Sequence, residues 1–308
     1  MGLQNRVDTM PVTSPEPGRA QRASGASGLR TAWRRHTRLV PTYVPLFILT
    51  IFFAIPFYIL FRNGLATHAQ IVNVDRWLWL PLPLRFDNIS RSLTSTSPPI
   101  TNSLKNSAFI SIWSVVGGLL IASLAGYGLA RIPCRWRNGV LYLMLVTMMI
   151  PGAVTFIPTY VIVARLGWVN KMAGIIVPGL FSVFGTILFR QFYLDFPSEI
   201  EEAGFMDGLG YLGVYWYLVL PNSAAIIVSL GAITFIGNWN SLLWPLVVAP
   251  AKEMWTVQVA LSTLITDQVI HLPELFAGAG VAIFPVLIVF LFLQRYLVAG
   301  YKLTGVTG

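Results

Sequence analysis

The segment EIEEAGFMDGLGYLGVYWYLVLP, residues Glu199 to Pro221, sets four carboxylates between long apolar runs. Its surroundings define the setting. Of 308 residues, 55% are hydrophobic and 11% charged, too apolar for a domain whose whole surface faces water. Reading outward for stretches of about 18 or more residues without Asp, Glu, Lys or Arg gives six: Leu39 to Phe61, Asn106 to Ala130, Asn138 to Ala164, Met172 to Phe189, Leu218 to Ala251 and Leu275 to Gln294. A soluble protein with buried helices explains one or two such runs, not six. The fifth run is too long for one span and carries Pro221 near its start and Pro245 near its end. Its helix is expected to begin around Pro221 and to bend or stop before Pro245. The fold class is therefore all-α, a polytopic membrane protein with six transmembrane helices over residues 39–308.

Orientation follows from Lys and Arg, which cytoplasmic loops retain. The tail holds Arg6, Arg19, Arg22, Arg30, Arg34, Arg35 and Arg38, the loop after the second span Arg131, Arg135 and Arg137, and the C-terminal end Arg295 and Lys302. Both termini and the second and fourth loops are expected in the cytoplasm. The first loop, Arg62 to Lys105, also carries basic residues, but it is too long to bear on the rule. The net charge of +9 is mostly a topology signal. The tail, residues 1–38, is rich in Pro, Ser, Gly and Ala and is expected to be disordered, its arginines touching anionic lipid. Aromatic residues are not interleaved with the basic ones, so nucleic acid is not an expected partner. The first run is longer than a signal-peptide core and no clear cleavage site follows it, so it reads as a membrane helix. The lone cysteine, Cys134, permits no intrachain disulfide.

The sequence has no GxxxxGK[ST] loop and no Gly-Lys pair, hence no visible means of holding nucleotide phosphates. No catalytic residue and no metal site are expected. GxSxG and HExxH are absent, and His36, His68 and His271 lie outside the spans, far apart in sequence. The six runs contain no Asp, Glu, Lys, Arg or His, which argues against a proton-driven carrier. A sodium-coupled carrier, able to work with carbonyls and hydroxyls, stays open.

The acids have a different logic. Asp195, Glu199, Glu201, Glu202 and Asp207 are five of only 12, while Asn88 to Leu194 has none. Orientation does not require this, because Asp and Glu weigh little in it. The spacing predicts a short helix over about 198–208. Pro197 marks its entry, Ser198 and Glu201 match a capping box, and the glutamates crowd the positive end of the helix dipole. Gly208 is the expected stop. Ile200, Ala203 and Gly204 share one face at i, i+3, i+4 spacing, small enough to let another backbone come close. An ordinary solvated loop is the alternative.

Glu202, Ala203, Gly204, then three residues to Gly208, nine more, then Leu218, Leu220 and Pro221 resembles the EAA signature of ABC-importer permeases, EAA-x3-G-x9-I-x-LP. Gly204 replaces the usual Ala and Leu218 the usual Ile. "NSLKNSAF", "MMIPGAVTFIPTYVIVARLGWVN", "FRQFYLDFPSEIEEAGFMDG", "FIGNWNSLLWPL" and "QRYLVAGYKLTGVTG" are similar to the carbohydrate-uptake branch, in particular the shorter six-span permease of maltose-type importers. The resemblance implies a bacterial or archaeal inner-membrane subunit that pairs with a second permease. Two ABC ATPase subunits would bind ATP and Mg, which this chain would not, and an extracytoplasmic binding protein would deliver sugar. It also implies that Glu199, Glu201, Glu202, Ala203, Gly204, Asp207 and Gly208 form a coupling helix seated in the ATPase, with Pro221 beginning the span that its movement drives.

A sugar pathway needs polar groups inside the membrane, which are costly unless they face a cavity. Thr234, Asn238, Trp239 and Asn240 are the candidates. Alternatively the asparagines bond across helices or cap a bend before Pro245, which is the reading preferred here. Gly117, Gly118, Gly126 and Gly128 are expected to mark close helix packing. Trp77 and Trp79 read as interfacial anchors, with docking of the binding protein as the functional alternative. A permease of the same build for glycerol phosphate and a secondary transporter acting alone are the rival functions.

Overall fold

The structure, a computed structural model, describes residues 24–73, 75, 77–94, 96, 99–266 and 271–303. These residues are helical, with no strand among them. Packing divides the chain into two units, residues 1–58 and 59–308. Helix α1 (Ser24–Gly64), most of which belongs to the first, is already formed at Ser24, earlier than the tail expected to reach Arg38. Helix formers such as Ala32, Arg34, Arg35 and Arg38 precede the span and let the helix extend back from it. The rest of the expected tail, residues 1–23, lies outside the described residues. Thr50, a polar group within the span, donates to Leu46 O at 2.8 Å and so satisfies itself on its own helix.

Three helices are long and apolar enough to cross a membrane singly: Tyr43–Gly64, Ile100–Arg131 and Leu272–Gln294. Three more spans arise only if bent pairs count as one each, and together these match the six runs in the sequence. Arg137–Met148 and Gly152–Arg165, helices α5 and α6, meet at 101°. There Pro151 precedes the first turn of α6 and disfavours helical backbone at the residue before it. Met172–Gly179, made of α7 (Met172–Ile176) and a 3₁₀ turn, meets α8 (Val183–Leu194) at 45°.

The fifth span is the most irregular. α10 (Tyr211–Val214) runs into a π-helical segment, Tyr215–Val219, then α11 (Leu220–Asn222), and a 76° bend leads to α12 (Ala224–Trp239). Pro221 supplies no N–H to the ladder. Carbonyls near the break are taken by side chains instead, Leu218 O by Asn222 Nδ2 at 2.7 Å and Val219 O by Ser223 Oγ at 2.6 Å. The long helix of this span thus begins at Ala224, three residues after the expected Pro221. It stops at Trp239, well before Pro245, which lies inside the short helix α13 (Leu243–Val248).

Helix α4 (Ile100–Arg131) is the hub of the second unit and packs on α8, α12 and α14 (Val257–Thr266). Its buried face is built from small residues, Ser103, Ser107, Ser111, Ser114, Ala122, Ser123 and Gly126, which bring helices close where no hydrophobic effect drives them together. At Gly126 a Cβ would stand 2.7 Å from Phe189 Cβ and 2.9 Å from Arg190 N, so α8 lies directly on the glycine. Gly117 meets the side-chain tip of Leu180 and Gly118 its carbonyl oxygen, at 2.8 and 3.3 Å from the Cβ position, but Gly128 faces open space and marks no packing, contrary to expectation. Helix α15 (Leu272–Leu303) closes the bundle against α12 and α14.

Candidate functional site

At the end of α8 the chain turns through Asp195 and the buried Phe196 into α9, Ser198–Met206. The helix forms where the acids predicted it, but it starts differently. Pro197 occupies the N-cap position, no side chain caps the helix, and Ser198 is its first residue. The capping box of Ser198 and Glu201 is therefore absent. Glu201 has another partner: its carboxylate is buried, with Oε1 3.1 Å from Nε of Arg131 at the end of α4. Arg131 also donates through Nη2 to Phe196 O. Burial pushes the Glu201 carboxyl above its ordinary value, and the Arg131 charge works against that rise.

The far end of α9 is a Schellman motif. Gly208 N donates to Phe205 O and Leu209 N to Gly204 O, both at 3.0 Å, while Gly208 sits at φ +84°, where a side chain is strained. The stop expected at Gly208 is thus present, and Asp207 is the C-cap residue.

Only Glu201 and Gly204 of α9 are buried. A Cβ on Gly204 would meet Leu218 Cδ1 at 2.6 Å and Val214 Cγ2 at 3.2 Å. Gly204 therefore receives the chain's own span and does not line the small outward face expected with Ile200 and Ala203. Its close neighbour explains the two departures from the EAA pattern together: the tip of Leu218 fills the space that an alanine methyl would take at 204. The opposite side of α9 is open, with Glu199, Ile200, Glu202, Ala203, Phe205, Met206 and Asp207 exposed and Met206 at 87%. Carboxylates interleaved with apolar side chains on one rigid turn form a surface suited to another protein.

Two turns before Arg131, Ser123 of α4 bonds the hydroxyls of Tyr193 on α8 (2.6 Å) and Tyr215 (2.8 Å). Tyr127 packs its ring on both tyrosines. Ser123, Tyr127 and Arg131 recur every fourth residue, a polar stripe along α4 beneath the α9 segment. This stripe is legible in the sequence, where Arg131 carried only an orientation signal.

The pathway candidates fare differently. Trp239 is 2% exposed, stacked on Phe235 and bonded through Nε1 to Ala282 O at 3.1 Å, which places it in the core. Asn238 donates to Thr234 O, one turn back on its own helix. Asn240, at the C-cap position of α12, accepts from Gln258 Nε2 on α14 at 3.1 Å. Bonding between elements is thus found for Asn240 and not for Asn238. Trp77 is covered by the Arg62 guanidinium, 3.8 Å from the ring centre, and Trp79 is exposed. His68 and His271 line one cavity of about 460 Å³ with Arg85, Arg91 and Glu274. Among the described residues no three His, Cys, Asp or Glu side chains are grouped to hold a metal.

An all-α bundle of apolar helices with an acidic helix outside the spans defines a class, the polytopic membrane protein. Comparison with known proteins places the chain within that class. Residues 115–303 match the family described as binding-protein-dependent transport system inner membrane component, and the chain belongs to that family. It is 34% identical over 203 residues to the arabinooligosaccharides transport system permease protein AraQ of Halalkalibacterium halodurans, covering 66% of this chain and 73% of that one. The lactose transport system permease protein LacG of Rhizobium radiobacter is 31% identical, with 70% and 78% covered. The sn-glycerol-3-phosphate transport system permease protein UgpE of Yersinia enterocolitica is 29% identical, with 84% and 94% covered. A chain from the crystal structure of a bacterial ABC transporter that imports the acidic polysaccharide alginate shares the fold, with a TM-score of 0.74 at 23% identity, over 92% of this chain and 99% of that one.

Proposed function

We propose that this chain forms half of the translocation pathway of an ATP-driven importer for a sugar or oligosaccharide. A second permease supplies the other half, two ATPase subunits bind ATP and Mg, and an extracytoplasmic binding protein delivers the solute. Both termini lie in the cytoplasm, and the chain itself performs no catalysis. The observation that carries the reading is the outward face of α9, where Glu199, Glu202, Ala203, Met206 and Asp207 stand exposed on a helix whose other face is locked to α4 and to the span after it. That face docks in the ATPase, and Gly204 and Glu201 on the inner face pass its displacement to the bundle. Two of the relatives named above are permeases of systems for sugars, which favours a sugar over glycerol phosphate.

Glu202 is exposed, so its reversal to lysine leaves folding intact. In cells carrying Glu202→Lys, the subunit is expected in the membrane at normal abundance, ATPase co-purification is lost, and uptake of labelled arabinooligosaccharide and lactose falls to background. Uptake at the wild-type rate sinks this reading. Uptake of glycerol 3-phosphate alone moves the chain to the other solute class, and solute flux in liposomes without ATPase subunits favours a secondary carrier.

A further inference from the structure

Of the stripe Ser123, Tyr127, Arg131, the outer two are engaged, Ser123 by α8 and the π segment and Arg131 by Glu201 of α9, and the middle one is not. Ser123 is fully engaged by Tyr193 and Tyr215. Arg131 Nε and the buried Glu201 Oε1 form an ion pair at 3.1 Å. Between them the Tyr127 hydroxyl is buried with no hydrogen-bond partner, on a side chain 2% exposed. Phenylalanine would fill this place at no such cost, so the hydroxyl calls for a reason outside this conformation. Its surroundings offer one. Tyr127 lies one turn, about 6 Å along α4, from Arg131, the residue that holds Glu201 at 3.1 Å.

We propose that Tyr127 is a positioning residue for the coupled transition: Glu201 pairs with Arg131 in this state and accepts the Tyr127 hydroxyl bond in the other, as α9 shifts along α4. The inference rests on the importer reading and adds a residue to it. Two discrete partners one turn apart make the contact bistable, as transmission between distant sites requires. The π-helical segment Tyr215–Val219, just beyond α10, is where the chain can take up the change in register.

The test is Tyr127→Phe in the assembled complex of this chain, its companion permease and the ATPases in lipid nanodiscs. Melting temperature is read without nucleotide and after trapping with MgATP and vanadate, together with ATP turnover. The substitution is expected to leave the resting state as stable or more so. The trapped state should lose stability and turnover should fall about tenfold, the effect of one hydrogen bond to a charged group. Arg131→Gln is expected to act in reverse, lowering the resting state alone. A Tyr127→Phe complex in which both states shift alike, or turnover stays at the wild-type rate, overturns the switch while leaving the importer reading intact. A wild-type complex with no response to MgATP overturns the importer reading itself, and the switch with it.

Discussion

Gly204 and Leu218 are two small departures from a signature that make sense only as a pair. Gly204→Ala gains about 0.5–1 kcal/mol of helix preference, but its Cβ overlaps Leu218 Cδ1 at 2.6 Å, and overpacking costs about 1–3 kcal/mol. We expect the single substitution to lower the melting temperature of the purified complex, and Leu218→Ile to restore it, with a coupling energy above about 0.5 kcal/mol. Additive effects in the double-mutant cycle refute the pairing. Glu201 gives a pH signature. Its folded pKa is raised above the ordinary 4.5 by burial. The folded state therefore keeps a proton that the unfolded chain has lost, and stability falls as pH rises from 4.5 through the raised value. Glu201→Gln is expected to flatten that part of the melting-temperature profile, and an unchanged slope contradicts the assignment. The sequence pointed Glu201 to Ser198, three residues away. Its actual partner, Arg131, is 70 positions distant, which local spacing has no means of showing.

Helix α9 is legible in the sequence at its end and not at its start. A glycine stop works through backbone alone, so the Schellman bonds at Gly208 follow from local chemistry. Gly208→Ala keeps every contact, since no atom stands within 4 Å of its Cβ position, but forces a side chain into φ +84°. A cost of about 1 kcal/mol is expected, appearing as faster amide exchange at Gly208 and Leu209, and protection equal to wild type rules it out. The start was misread because the helix begins one residue earlier, with Pro197 at the N-cap and Ser198 inside it, and because Glu201 turns its carboxylate to Arg131. The fifth span shows the same division. Pro221 announces a break, but the π segment before it depends on Tyr215 reaching Ser123, a contact between helices.

For the whole molecule, composition was the strongest guide. Six uncharged runs locate six crossing candidates because lipid tolerates no unpaired backbone, so helices must fill them. How each is bent was beyond composition, since three of the six are pairs meeting at 45° to 101°. The family follows from motif spacing, whereas the burial of Trp239 against Phe235 and Ala282 was beyond it, because an aromatic next to polar residues reads equally well as lining or as core.

The open face of α9 carries a further consequence, for how the cell makes this protein. Met206, Phe205 and Ile200 beside three acids are sticky while the chain is alone, and none of the described residues covers them. A subunit translated in excess of its partners presents that surface to proteases and chaperones. On the proposed docking of α9, supply of the ATPase would set how many copies survive, and stoichiometry would be enforced by decay of the surplus.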